Sequence, residues 1–97
     1  MITQLKNVVP NISFGFGITN MTIPAYEPFT VWVDTLYNQK EYVAQLQRVP
    51  DIKIVRKISD YQFEVIFRSP GTYDVQLTLT RKNSKPIMSN ILTLTVI

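Results

Sequence analysis

The sequence contains no cysteine and no histidine. Without cysteine there is neither a disulfide framework nor a thiolate metal site. Without histidine the commonest general base and the commonest metal ligand are gone. A Ser-His-Asp or Cys-His nucleophilic centre therefore cannot be built. Glycine is scarce, at three residues, and tryptophan occurs once. No run reaches the ~18 apolar residues of a membrane span. No segment sustains the 3.6-residue apolar period of an amphipathic helix. The opening stretch, Met1 to Pro10, has no long apolar core followed by a small-residue cleavage site. These absences predict a chain made in a cytoplasm, not inserted in a membrane and held together by packing.

The carboxylates add to the exclusions. Glu27, Asp34, Glu41, Asp51, Asp60, Glu64 and Asp74 are scattered along the chain. They form no Asp-rich loop of the kind calcium needs, and no pair is marked out for acid–base work. A non-enzymatic protein without metal or cofactor is expected.

What remains is strand-forming material. The 97 residues suit one domain, and 45% of them are hydrophobic, enough for one core. Val, Ile, Thr, Tyr and Phe dominate, as half-buried pleated surfaces prefer. The net charge is +3. Its densest sets, Lys53, Arg56, Lys57 and Arg81, Lys82, Lys85, hold three cations each. They read as solvated loops and an outer strand face, and no specific nucleic-acid partner is expected.

Alternation and turn signals place the strands. Thr19 to Ile23 stops at Pro24. Phe29 to Thr35 puts Phe29, Val31 and Val33 on one face, which turns Trp32 outward. Tyr42 to Arg48 follows a polar turn. Ile52 to Ile58 has a broken alternation that predicts a bulge at Val55. Tyr61 to Arg68 aligns Tyr61, Phe63, Val65 and Phe67. Thr72 to Thr80 turns Tyr73, Val75, Leu77 and Leu79 inward, and the last strand does the same with Leu92, Leu94 and Val96. Short strands with regular turns predict two packed antiparallel sheets.

Ser13-Phe14-Gly15-Phe16-Gly17-Ile18 stands apart from this pattern. It has no Lys-Ser/Thr ending and no helix to follow, so it is not a phosphate loop. Residues 1–17 are expected to be either an added edge strand or an arm that pairs with a neighbouring subunit. On the arm reading, Phe14, Phe16, Ile18 and the outward Trp32 are the candidate partner-binding residues. A second candidate set lies in the loops: Tyr37, Asn38 and Gln39, with Arg81, Lys82 and Lys85. Tyr37 could stack on a sugar or pack within its own turn.

From Ser69 onward the chain resembles immunoglobulin-like domains of the PKD and bacterial Ig-like type. The residues that carry this are Pro70, Gly71, Tyr73, Val75 and Leu77, then Leu92, Leu94 and Val96. The Cys pair of antibody domains and the Trp-Asp-Phe-Gly-Asp signature of PKD domains are missing. The resemblance implies an all-β immunoglobulin-like sandwich of about seven strands over residues 18–97, with Tyr73 as a packing tyrosine.

Two functions fit this design. A free-standing Ig-like body with an apolar arm is similar to accessory proteins of bacteriophage particles. That likeness implies a protein made in the host cytoplasm and docked through residues 1–17 on a capsid or tail protein at the virion surface. The alternative is a carbohydrate-binding or adhesive module of a longer cell-surface or fibre protein, using the loop set for a glycan.

Overall fold

The computed structural model describes residues 9–97. Residues 1–8, and with them half of the expected arm, lie outside the described part. Eight strands run in order: β1 (Ile12–Ser13), β2 (Asn20–Ile23), β3 (Phe29–Val33), β4 (Val43–Leu46), β5 (Ile52–Ser59), β6 (Gln62–Phe67), β7 (Gly71–Thr80) and β8 (Ile87–Val96). There is no helix among the described residues. Two four-stranded sheets pack face to face, ordered β1-β3-β6-β5 and β2-β8-β7-β4. This is the strand order of an immunoglobulin-like sandwich, with the first strand split between the sheets.

The split accounts for the strand beyond the expected seven, and it corrects the expectation of purely antiparallel sheets. β1 pairs antiparallel with β3, whereas β2 pairs parallel with β8, from Asn20 opposite Thr93 to Ile23 opposite Val96. Between them the chain must leave one sheet and join the other. Gly15, Phe16 and Gly17 make that move with φ of 115°, 51° and 72°. Three successive residues in left-handed territory are cheap only where glycine supplies most of them. The turn is closed by Phe14 N–H to the Ile18 carbonyl at 2.8 Å and Ile18 N–H to the Gly15 carbonyl at 2.9 Å.

β1 is then tied to the opposite sheet. The Asn90 side chain accepts from Ile12 N–H at 2.7 Å and donates to the Ile12 carbonyl at 3.1 Å. It thereby imitates the backbone of a neighbouring strand. Ser89 has a parallel task where the β7–β8 register shifts between Gln76 and Thr78. Its hydroxyl accepts from the Leu77 N–H at 2.8 Å and donates to the Asn90 carbonyl at 2.7 Å. Burying Ser89 therefore leaves no polar group without a partner, as burial requires.

The core follows the alternation. Val31, Val65, Leu77, Leu79, Leu92 and Leu94 are fully buried, from both sheets. Phe14, Phe29, Phe67 and Tyr73 form a run of rings between the sheets, with centroid separations of 5.7, 6.0 and 4.4 Å. The Tyr73 hydroxyl donates to the Ser69 carbonyl at 2.8 Å. Burial pushes its ionisation upward, reinforced by the charge of Asp51 and by its hydrogen bond to that carboxylate. Tyr73 is thus the expected packing tyrosine, its hydroxyl bonded four residues back in the manner of a tyrosine corner.

β5 is the exposed edge of its sheet, and the register shift between Ile54 and Arg56 places a bulge at Val55. Its apolar side chains Ile54, Val55 and Ile58 are more than two-fifths exposed. Such an edge invites pairing with another copy unless charge and irregularity blunt it. Lys53 and Arg56 supply the charge. Replacing both by threonine is expected to leave the fold intact and to produce concentration-dependent self-association in sedimentation. A double variant that stays monomeric at high concentration would show that these charges do not guard the edge.

Candidate functional site

Antiparallel pairing decides which loops meet. Val43, at the start of β4, lies opposite Thr80, at the end of β7. The β3–β4 connection (residues 34–42) and the β7–β8 connection (residues 81–86) therefore emerge side by side at one end of the sandwich. Loop clusters at sandwich ends are where such folds carry binding residues.

Arg81 joins the two loops. Its guanidinium lies 3.4 Å from the Glu41 carboxylate and 5.5 Å above the Tyr42 ring. Its Nε–H donates to the Ser84 hydroxyl at 2.9 Å. Each loop is also braced on its own side. Asn38 accepts from Lys40 N–H through its side chain at 3.0 Å, an Asx-type turn. Its carbonyl accepts from Glu41 N–H and Tyr42 N–H at 3.1 and 3.0 Å. In the other loop Asn83 turns the chain with φ of 61°, and Ser84 N–H donates to the Arg81 carbonyl at 3.3 Å. Between the loops is a shallow recess of about 510 Å³, lined by Lys40, Glu41, Arg81, Lys82, Asn83 and Ser84.

Tyr37 takes the packing alternative. Its ring lies 5.0 Å from that of Tyr61, and its hydroxyl donates to the Asp60 carbonyl at 2.7 Å. Tyr61 returns the contact by donating its hydroxyl to the Tyr37 carbonyl at 3.1 Å. The residue is buried, so it positions the loop from beneath and offers no ring face for stacking. Asn38, Gln39, Lys82 and Lys85 remain exposed at the tips.

Burial, then the nearby charge of Asp60 and the coupled ring of Tyr61, push the Tyr37 phenol up to about 12. The protonated form is favoured in the fold, so its contribution is complete below the ordinary value near 10 and is lost as pH rises toward 12. The melting temperature of the wild type is expected to fall more steeply across that window than that of Tyr37→Phe. Parallel curves for the two proteins would contradict this placement of the phenol.

Cations outnumber carboxylates in these two loops. Lys40, Arg81, Lys82 and Lys85 stand against Asp34 and Glu41, and of these two carboxylates only Glu41 lines the recess. Glu41 is already engaged by Arg81. Among the described residues, Lys40, Lys82 and Lys85 have no carboxylate within ion-pair distance.

The first candidate set is divided by the fold. Phe14 turns inward, edge-on to Phe29. Phe16 is fully exposed at the apex of the sheet-switching turn, and Ile18 is half exposed. Trp32 is 39% exposed, and the turn backs onto it, since a Cβ on Gly15 would lie 3.7 Å from the indole nitrogen. Sequence reasoning missed Glu41 and Tyr42 as parts of the loop end. The available signal was an anion in one turn and a cation in another that an Ig-like strand order brings together. Among the described residues no cluster of three or more potential metal ligands occurs.

No family model matches the chain, and no curated protein matches it either. Its fold is similar to part of an endo-beta-1,4-mannanase from Thermotoga petrophila. The superposition has a TM-score of 0.50 at 10% sequence identity, and covers 91% of this chain and 20% of that one. At this identity the likeness is one of fold. The chain thus matches, over nearly its whole length, a segment of a much longer enzyme.

Proposed function

We propose that this chain is a non-catalytic accessory module of the immunoglobulin-like kind, similar to PKD and bacterial Ig-like domains, that binds carbohydrate through its β3–β4 and β7–β8 loops. The observation that carries the reading is the contact of those loops through Arg81, which brings two distant segments into one polar surface. Polar side chains preset by a scaffold lose little freedom on binding a hydroxylated ligand. Asn38, Gln39, Lys82 and Lys85 are the contact residues in this account, and Arg81 and Tyr37 hold them in place. The mannanase likeness supports an accessory role, because the matched segment is a minor part of a chain named for acting on a polysaccharide. The expectation of a virion protein docked through residues 1–17 draws no support from that likeness.

The test is affinity electrophoresis of the chain in gels containing soluble polysaccharides, neutral and acidic. Retardation by at least one of them, lost in an Asn38→Ala, Lys82→Ala double variant and kept in Trp32→Ala, is the expected result. No retardation by any polysaccharide would overturn the proposal, as would loss of binding in Trp32→Ala alone.

A further inference from the structure

The charge at the loop end carries the argument one step further, resting on the carbohydrate reading above. We propose that the ligand is an acidic polysaccharide, its carboxylate or sulfate groups held by Lys40, Lys82 and Lys85. Three observations lead there. The recess is flanked by cations from both loops, and its single carboxylate is neutralised by Arg81. The two loops carry Lys40, Arg81, Lys82 and Lys85 against Asp34 and Glu41, so their local field is positive. The lysines are exposed and have no ion-pair partner among the described residues, so an anion meets them with no competing carboxylate to displace.

The same surface is poorly made for nucleic acid. Single-stranded nucleic acid is held by aromatic rings on which bases stack. Here the Tyr37 ring is packed on Tyr61 and the Tyr42 ring lies beneath Arg81. A neutral glycan would meet these ammonium groups only as hydrogen-bond donors, whereas repeating anionic sugars would gain charge-assisted contacts with several of them at once.

The experiment measures retardation of the chain by polygalacturonate, dextran sulfate, neutral mannan and single-stranded DNA, at low and at physiological salt. The variant is Lys40→Glu, Lys82→Glu, Lys85→Glu, all at exposed positions, with its fold checked by circular dichroism and melting. The expected result is retardation by one or both acidic polysaccharides, weakened by salt. Charge reversal should reduce that affinity by roughly tenfold or more, and replacement of the same lysines by arginine should preserve it. Binding to mannan as strong as to the acidic polymers would overturn this inference and leave the carbohydrate reading standing. Retardation by DNA equal to that by the polysaccharides would overturn it in favour of general polyanion attraction. No retardation by any polysaccharide would overturn both.

Discussion

Phe67→Ala is expected to destabilise the protein by about 3–5 kcal/mol, the range for removing a large aromatic from a packed core. Phe67 is 1% exposed. Its ring is stacked on Phe29 at 6.0 Å and lies 4.4 Å from Tyr73, in the middle of the aromatic run between the sheets. Its backbone carbonyl also accepts from Tyr26 N–H at 2.8 Å, which anchors the β2–β3 turn. Truncation leaves a void between the Phe29 and Tyr73 rings, which are themselves held by Phe14 and by the Ser69 carbonyl. For a domain of this size each kcal/mol lowers the melting temperature by roughly 4–8 °C. A loss of about 12 °C or more is therefore expected in thermal denaturation. Phe16→Ala is the control. That ring is fully exposed, so its removal should change stability by no more than about 0.5 kcal/mol. A similar loss in both variants would contradict the placement of the two phenylalanines.

Gly71→Ala is the second large effect, and its origin lies in the backbone. Gly71 has φ of 154°, where side chains are strained whatever the space around them. An added Cβ would also stand 3.2 Å from the ring carbon and hydroxyl oxygen of Tyr73. That ring has little room to retreat, since Phe67 lies against it and its hydroxyl is bonded to the Ser69 carbonyl. The backbone strain alone is of order 1–3 kcal/mol, and the crowding adds to it. Tyr73→Phe removes only the hydroxyl and should cost about 0.5–1.5 kcal/mol. The account expects Gly71→Ala to be the more damaging in urea denaturation; the reverse order would mean that the corner is held by its hydrogen bond alone.

How much of this could be read beforehand depends on what each segment buries. β3, β6, β7 and β8 each bury one face, so alternation exposed them and named their core residues. The bulge at Val55 was legible because an edge strand shows its irregularity as a broken pattern. β1 was not legible as a strand, because two residues carry no period. The Gly15-Phe16-Gly17 turn was visible as unusual. Its role as a switch between sheets follows from the parallel pairing of β2 with β8, and a sequence does not show the direction of a partner strand. β8 begins at Ile87, well before the alternation of Leu92, Leu94 and Val96, and its first half is anchored by the side chains of Ser89 and Asn90 along with Ile87 against the core. Tyr37 stayed ambiguous because Asn38, Gln39 and Lys40 after it read as a polar turn, while its ring partner, Tyr61, lies 24 positions away. The loop set was chosen for its chemistry; its meeting at one end follows from the Val43–Thr80 register.

The central claim is that the Arg81-joined loops are the binding surface. Amide chemical shifts followed by NMR during titration with an acidic oligosaccharide test it most directly. The account expects perturbations concentrated in residues 38–42 and 81–86, with Phe16, Trp32 and β5 unmoved. Perturbations centred on Trp32 and the Gly15–Gly17 turn, with the loops silent, would contradict it.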